Sequence, residues 1–402
     1  MKSERKIPFF LISRHLRRSN RWTLMLIIFL MAIAFINLIF INSLFQGVIE
    51  ADNRQIIETT NGNISVAPAQ GSEFISNPDE VVGKIELVEG VKAASPRLNL
   101  PATLEVDNAR KNLEVWGVDP ESESRVTNIS TSMAGGSYLS PADLSAVVIG
   151  NEVAAVGEGE GEEKGRAPDR IRVGDRLDLA IGSSRNDFTV KGIFRTKFER
   201  ADGRVFITRS SLERIAPELK GKATDILIKT DTTGNEDEVV RRLEAAGITG
   251  RFTTWQQAAK LVKSLTDSFV TINALLTVVG FFIAAVTIFI IMYVDISHKR
   301  LEIGVLRALG VKSYLIGATF VLQTIVYSFC GVALGTAMFF GILVPYFIVH
   351  PFSIPIGDVT LAVIPVDFVS RALAVVLVAT LSGLIPAVIS LRKKILDEIL
   401  GR

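Results

Sequence analysis

The chain has 402 residues, 48% of them hydrophobic and 21% charged, with a mean hydropathy of +0.36. Apolar and polar residues are strongly segregated along it, the mark of a membrane protein that carries a soluble domain. A net charge of only +2 gives no case for nucleic-acid binding, and the single cysteine, Cys330, can form no intrachain disulfide.

Residues 1–22 form a basic N-terminal segment holding Lys2, Arg5, Lys6, Arg14, Arg17, Arg18 and Arg21. The first of four charge-free apolar stretches follows at Thr23–Phe45, long enough for a helix to cross the bilayer's hydrocarbon core. It reads as an uncleaved anchor, because its apolar core is too long for a usual signal peptide and no small-x-small site follows.

Residues 46–268 form one large polar segment, long enough for an independent core. "NISV" (63–66), "RLDLAIG" (176–182), "DFTVKGIF" (187–194), "RVFIT" (204–208) and "DILIK" (225–229) alternate or cluster β-branched residues, which predicts strands. "DEVVGKIELVEGV" from Asp79 and "DEVVRRLEAAGI" from Asp237 echo each other, and both space apolar residues as amphipathic helices do. They are either two ordinary surface helices or parts of two related β–α–β units. The second reading makes a split subdomain of about 50–118 and 223–255, with a β-rich subdomain inserted at about 119–222. Within the insert, "GEGEGEEKGRAPD" (157–169) lacks apolar periodicity and the spacing of a calcium loop, and reads as a surface loop.

The second apolar stretch is Phe269–Val294, followed by a basic loop at 295–313 with Lys299, Arg300, Arg307 and Lys312. As a helix, 298–310 places Leu301, Val305 and Leu309 on one side and charged residues around the rest. Gly304 and Gly310 lower its helicity, which points to close backbone approach by a docked partner. The third stretch, Tyr314–Val349, has room for a span plus a continuation, and Pro345 predicts a kink or an end point. Gly331, Gly335 and Ala337 there permit close helix approach, although glycine is also simply common in membrane helices. The fourth stretch is Ala372–Leu391, and a basic tail at 392–402 holds Arg392, Lys393, Lys394 and Arg402. The connection His350–Phe368 has no Lys or Arg. Lys and Arg therefore alternate across every span, which predicts both termini and the 295–313 loop in the cytoplasm and 46–268 outside. With no ionisable residue in the four stretches, a proton or ion relay through them is not expected.

Catalytic chemistry has no setting. His15, His298 and His350 lack metal-ligand spacing, and no Gly-x-Ser-x-Gly elbow is present. Gly304, Gly310, Lys312 and Ser313 miss the phosphate-loop pattern, since five residues part the glycines and Val311 separates Gly310 from Lys312. The chain is expected to hold no metal or cofactor and to hydrolyse no ATP by itself.

"RLEIGVLRALG" (300–310) resembles the signature after the second span of FtsX-like ABC-transporter permeases, a superfamily that includes macrolide-exporter (MacB) and lipoprotein-releasing (LolC/LolE) types. The match lies at Arg300, Glu302, Ile303, Gly304, Arg307, Ala308 and Gly310; Leu301 departs, a basic residue being common there. "GVKAASPRL" (90–98), "VWGVDP" (115–120), "TW" (254–255) and "PAVISLRKKILDEIL" (386–400) follow the family's order. The resemblance implies an α+β membrane protein with four transmembrane helices and a large extracytoplasmic α+β domain inserted between helices 1 and 2. It further implies an inner-membrane permease that dimerises with an identical or related chain and binds a cytoplasmic ABC ATPase, which holds the ATP. Those seven residues would be the coupling interface. A periplasmic adaptor or membrane-fusion protein is a further partner of this type, and efflux or lipoprotein release a role. The competing reading is a regulator of the division type, which relays a cytoplasmic ATPase signal outward.

Overall fold

The computed structural model describes residues 21–106, 109–155, 171–182, 184–261, 263–354 and 357–391. The Gly/Glu-rich loop, the C-terminal tail and most of the N-terminal segment lie outside them. The chain divides into two compact units. A helical unit takes Met1–Ile49, Thr266–Phe352 and Val359–Arg402, and a sheet-rich unit takes Glu50–Leu265 with Ser353–Asp358.

In chain order, helix α1 (Arg21–Gln55) passes directly into a π turn at Ile56–Asn61. Strand β1 (Ile64–Ala67), helix α2 (Pro78–Glu86), β2 (Val91–Val106), β3 (Ala109–Val118) and α3 (Pro120–Val126) follow. Next come β4 (Met133–Gly136), β5 (Ala146–Gly150), β6 (Arg176–Ile181), β7 (Ser184–Phe194), β8 (Val205–Thr208) and α4 (Arg209–Ile215). Strand β9 (Asp225–Thr230), α5 (Glu236–Ala245), β10 (Arg251–Thr254) and α6 (Trp255–Leu261) complete the sheet-rich unit's main segment. The long helices are α7 (Lys263–His298), α9 (Ser313–Met338) and α11 (Pro365–Leu391). A short α8 (Arg300–Ala308) joins the first two. A π turn at Phe339–Leu343 leads from α9 into α10 (Val344–Val349).

The sheet runs β10-β1-β9-β2-β3-β8-β5-β7-β4, with β6 against β2 and β7. Its first four strands are all antiparallel and join two β–α–β units, β1-α2-β2 and β9-α5-β10. The echo helices are thus equivalent elements of two units. Their apolar residues, Ile85 and Val239 with Leu243, close a core on Ile64, Val66, Ile226 and Ile228. These sheet residues alternate because successive side chains in a strand point to opposite faces. A second core, with Leu98, Leu104, Val115, Ile149, Leu179, Val190, Val205 and Ile207, belongs to the insert. The boundary falls inside β2, between Ala94 in the first core and Leu98 in the second. One sixteen-residue strand thus serves both cores.

One charged cluster holds these parts together. Arg97 and Glu123 are both fully buried. Arg97 Nε donates to Glu123 Oε2 at 3.1 Å and Nη2 donates to Oε1, while Ser95 and Thr127 hydroxyls donate to the same carboxylate at 3.0 Å. Burial pushes the Glu123 carboxyl up, but the Arg97 charge and these hydrogen bonds outweigh it and hold it below its usual range. The third guanidinium nitrogen, Nη1, donates to the carbonyl of Thr60 at 2.7 Å. Arg204 reaches the carbonyl of Thr59, and the backbone N–H of Asn128 reaches that of Glu58 at 2.9 Å. A helix end leaves carbonyls without intrahelical donors and carries partial negative charge. Here the insert and the split subdomain supply the donors. Both guanidiniums lie over the Trp116 ring, Arg97 at 4.7 Å and Arg204 at 4.2 Å from its centroid.

Two smaller devices secure the ends. Asp119 caps α3 by accepting from the backbone N–H groups of Glu121 (3.0 Å) and Ser122 (3.4 Å). Glu236, fully buried, accepts from Asn63 Nδ2 (3.2 Å), Gly234 N (2.9 Å), Trp255 Nε1 (2.9 Å) and Gln256 Nε2 (2.8 Å). The motifs at 90–98, 115–120 and 254–255 thus contribute Arg97, Trp116 with Asp119, and Trp255 to these contacts.

In the helical unit, α1 crosses α9 at two glycines. A Cβ on Gly331 would stand 2.4 Å from Met31 Cβ, and one on Gly335 would stand 2.9 Å from Phe35 Cδ1. Ala337 is exposed. Pro345 does not end the third long helical run: the chain widens into the π turn and continues to Val349. Proline lacks an N–H and its ring clashes with the preceding turn, and the wider turn accommodates both.

Gly331→Leu should cost at least about 1–3 kcal/mol as an overpacked contact. Gly341→Leu, where a Cβ meets nothing within 4 Å, should be near neutral. Unfolding midpoints of the full chain in detergent check this, and equal midpoints would refute the crossing. A pH effect follows from Asp225. Burial, reinforced by Glu123 and opposed by Arg97, pushes its carboxyl up to about 6. A raised carboxyl binds its proton more tightly when folded, so its contribution to stability declines as pH rises from about 4 to about 6. Asp225→Asn should remove that decline and leave the protein more stable than wild type at neutral pH. Superposable thermal-stability profiles across this range would contradict it.

Candidate functional site

Helix α8 has two differently used sides. Ile303 and Gly304 are buried and Leu306 is partly so. They face a core shared with Ile27 and Met31 of α1, Ile296 of α7, Ile316 and Phe320 of α9, and Ala379 and Ala387 of α11. The opposite side exposes Leu301 (61%), Val305 (47%) and Leu309 (76%), an i, i+4, i+8 apolar stripe beside exposed Glu302 and Ala308. Glu302 also places a carboxylate in the first turn, where the helix dipole favours it.

The helix is stopped by geometry its sequence encodes. Gly310 has φ +88°, its N–H donates to Arg307 O at 3.0 Å, and Val311 N–H donates to Leu306 O at 3.1 Å. This is the Schellman arrangement, which needs a residue in the left-handed region. Leu306 and Val311 both pack on the same core, supplying its usual hydrophobic contact.

Of the seven residues singled out in the sequence, Arg300 and Arg307 are half-buried, Glu302, Ala308 and Gly310 exposed, and Ile303 and Gly304 buried. Arg300 Nη2 donates to Ser297 Oγ at 3.4 Å. All seven share one helix and its cap but not one face. Gly304 is buried beside Ile303 rather than set in the exposed stripe. The exposed apolar stripe is Leu301, Val305 and Leu309.

Behind α8 stands a buried polar network. Asp295, 8% exposed, accepts from Lys299 Nζ at 2.9 Å and from Gln323 Nε2 at 2.8 Å, and Gln323 Nε2 also approaches Tyr327 Oη at 2.6 Å. The network ties the end of α7 to α9 and to the residue before α8. The helices outrun the charge-free stretches: α7 continues past Val294 through Asp295. Likewise α11 begins at Pro365 and so includes Asp367 and Arg371. The signal was present in the sequence as a lone Asp directly after an apolar run, where it passed for the start of a loop. Among the described residues no three His, Cys, Asp or Glu side chains converge as metal ligands.

Residues 24–246 match the family described as MacB-like periplasmic core domain, and residues 274–395 match the FtsX-like permease C-terminal family. The chain belongs to the FtsX-like ABC-transporter permeases. Membership implies an ABC ATPase as partner, and the four long apolar helices accord with a membrane protein. Similar solved structures include the extracellular domain of the noncanonic ABC-type transporter YknZ from Gram-positive bacteria. It is 11% identical with a TM-score of 0.34, covering 48% of this chain and 97% of that one. The periplasmic region of MacB from Actinobacillus actinomycetemcomitans is 10% identical with a TM-score of 0.36, covering 50% and 92%. A domain of a putative permease protein from Porphyromonas gingivalis is 14% identical with a TM-score of 0.29, covering 46% and 83%.

Asp295→Ala removes the acceptor shared by the buried Gln323 amide and the Lys299 ammonium, leaving the amide only Tyr327 Oη. It should destabilise the helical unit of the permease by about 1–3 kcal/mol. The unfolding midpoint of the full chain in detergent reads this; a wild-type midpoint would mean that water replaces the carboxylate without loss.

Proposed function

We propose that this chain is the transmembrane subunit of an ABC transporter of the MacB or LolC/LolE type. ATP hydrolysis on a separate subunit drives movement of an extracytoplasmic domain, for efflux or for extrusion of a lipoprotein, lipid or peptide. The observation that carries this reading is the division of labour on α8. One side is built into the core of all four long helices, and the other presents Leu301, Val305 and Leu309. Amphipathic helices laid into grooves are a recurrent recognition mode. A push on such a helix reaches α7 and α9 together, through Ile303 and through the Asp295 network. The partner ATPase supplies the groove and binds the ATP. A second permease, identical or related, completes the transporter, and a periplasmic adaptor or membrane-fusion protein can join it outside.

Leu301→Asp and Val305→Asp should each weaken docking of the ATPase about 5- to 30-fold, the loss of about 1–2 kcal/mol of apolar burial. Glu302→Lys should weaken coupling while insertion survives. Gly304→Trp should act differently, disturbing the bundle before it meets a partner. The purified chain alone should hydrolyse no ATP. Copurification of the ATPase and its permease-dependent turnover in nanodiscs are the readouts, and wild-type values for both aspartate variants would sink the coupling role.

The Lys and Arg pattern supports an orientation with both termini cytoplasmic and the sheet-rich domain outside, and the permease reading puts the chain in the inner membrane. Cysteine introduced at Ser184 should react with an impermeant reagent in intact cells, permeabilised at the outer membrane where there is one. Cysteine at Ser297 should not. Reversed labelling would invert the topology.

A further inference from the structure

Four polar side chains from three helices meet at one end of the helical unit. Arg371 of α11 donates through Nη1 to Thr277 Oγ1 at 3.0 Å and through Nη2 to Asn42 Oδ1 at 2.7 Å. Asn273 Nδ2 donates to the same Asn42 oxygen at 3.1 Å. A guanidinium carries five N–H donors. Two are engaged here, both by neutral oxygens, and no described carboxylate stands within 4.0 Å of it. Asp367, one turn earlier on α11, acts on it only from farther off. The side chain is half-buried, so its remaining donors are not sealed inside the bundle.

The depth of this cluster follows from counting. Leu24 to Asn42 on α1 and Thr277 to Asp295 on α7 each span about 27 Å at the α-helical rise, and Arg371 to Leu391 on α11 spans about 30 Å. The hydrocarbon core of a bilayer is about 30 Å thick. The cluster therefore sits about one core thickness from the far ends of these segments, near the boundary between hydrocarbon and headgroups.

We propose that Arg371 binds the phosphate of a phospholipid headgroup at this membrane boundary. The planar fork of a guanidinium matches two phosphate oxygens, and charge-assisted bonds of this kind are strong and directional. Thr277 and Asn42 hold the fork from two helices, so its orientation is set before the lipid arrives. Polar contacts that only joined helices would close among Asn42, Asn273 and Thr277 without a cation. At this boundary the spare donors meet water or a headgroup, and a phosphate adds charge pairing and two-point geometry that water lacks.

The test uses the full chain in detergent, with bound lipid counted by native mass spectrometry. The probes are phosphatidylglycerol, a diacylglycerol with the same chains, and inorganic phosphate. Wild type should bind phosphatidylglycerol and not the diacylglycerol, and millimolar inorganic phosphate should not displace the lipid. Arg371→Gln should weaken phosphatidylglycerol binding about tenfold or more, the loss of one charge-assisted contact. Arg371→Lys keeps the cation without the fork and should bind with intermediate affinity, which covers the case of a glutamine variant that fails to fold. Thr277→Val should retain most of the binding. Lipid affinity unchanged in Arg371→Lys and in a folded Arg371→Gln would overturn the proposal. So would equal binding of the diacylglycerol, and displacement by inorganic phosphate would assign the site to the free ion instead.

Discussion

The sheet-rich unit depends on the ion pair of Arg97 and Glu123. Removing two charges from water costs several kcal/mol each, and the cost is recovered only when geometry is close and every remaining donor finds an acceptor. Here the carboxylate takes two bonds from Arg97 and one each from Ser95 and Thr127, and the last guanidinium nitrogen goes to the Thr60 carbonyl. Ser95 and Arg97 lie on β2, Glu123 and Thr127 at α3, and Thr60 in the π turn that ends α1. Three separately encoded segments are therefore satisfied together or not at all. Loss of one partner strands a buried charge, a defect typically worth about 3–5 kcal/mol.

The helical unit is organised by the opposite economy. Its core is mostly apolar, and among the described residues the side-chain hydrogen bonds between its helices lie at two levels. Asp295 with Gln323 and Lys299 stands just past the apolar run of α7, and Thr277 with Arg371 and Asn42 stands about 27 Å along the helices from that level. Between them the helices meet through small residues such as Gly331 and Gly335, where backbone approaches side chain at van der Waals contact. Polar groups between neighbours resist sliding in register, because a shifted donor has no water to turn to. A permease that moves by tilting helices as rigid bodies keeps such pairs, and one that slides them breaks them.

The candidate coupling site was partly legible. The motif at 300–310 located the helix, and its apolar positions Leu301, Val305 and Leu309 were already on one side of the wheel. What periodicity alone did not decide was which side faces the bundle. Ile303 and Leu306 form a second apolar edge, and a nine-residue helix with apolar residues on two edges can be laid down either way. Gly304 was read as a partner's landing point because glycine inside a helix needs a reason. In the folded chain Gly304 is buried beside Ile303. Gly310 has a backbone reason, its positive φ at the end of α8. Asp295, Gln323 and Arg371 escaped notice because each is a single polar residue at or inside an apolar run, and only the neighbouring helix shows what it bonds.

By itself the sequence determined the four apolar helices, the large insertion after the first, the strands at Ile64, Arg176, Val205 and Asp225, and the two echo helices. These are signals of composition and of period, carried by residues close together in the chain. Tertiary structure alone decided that β2 is one strand shared by two cores, and that the first helix runs through Gln55 into a π turn. It alone showed that the turn's carbonyls end on Arg97, Arg204 and Asn128. Those contacts join residues from 37 to 145 positions apart. A hydrogen bond between distant segments leaves no period in either of them, so it becomes visible only when the chain has folded.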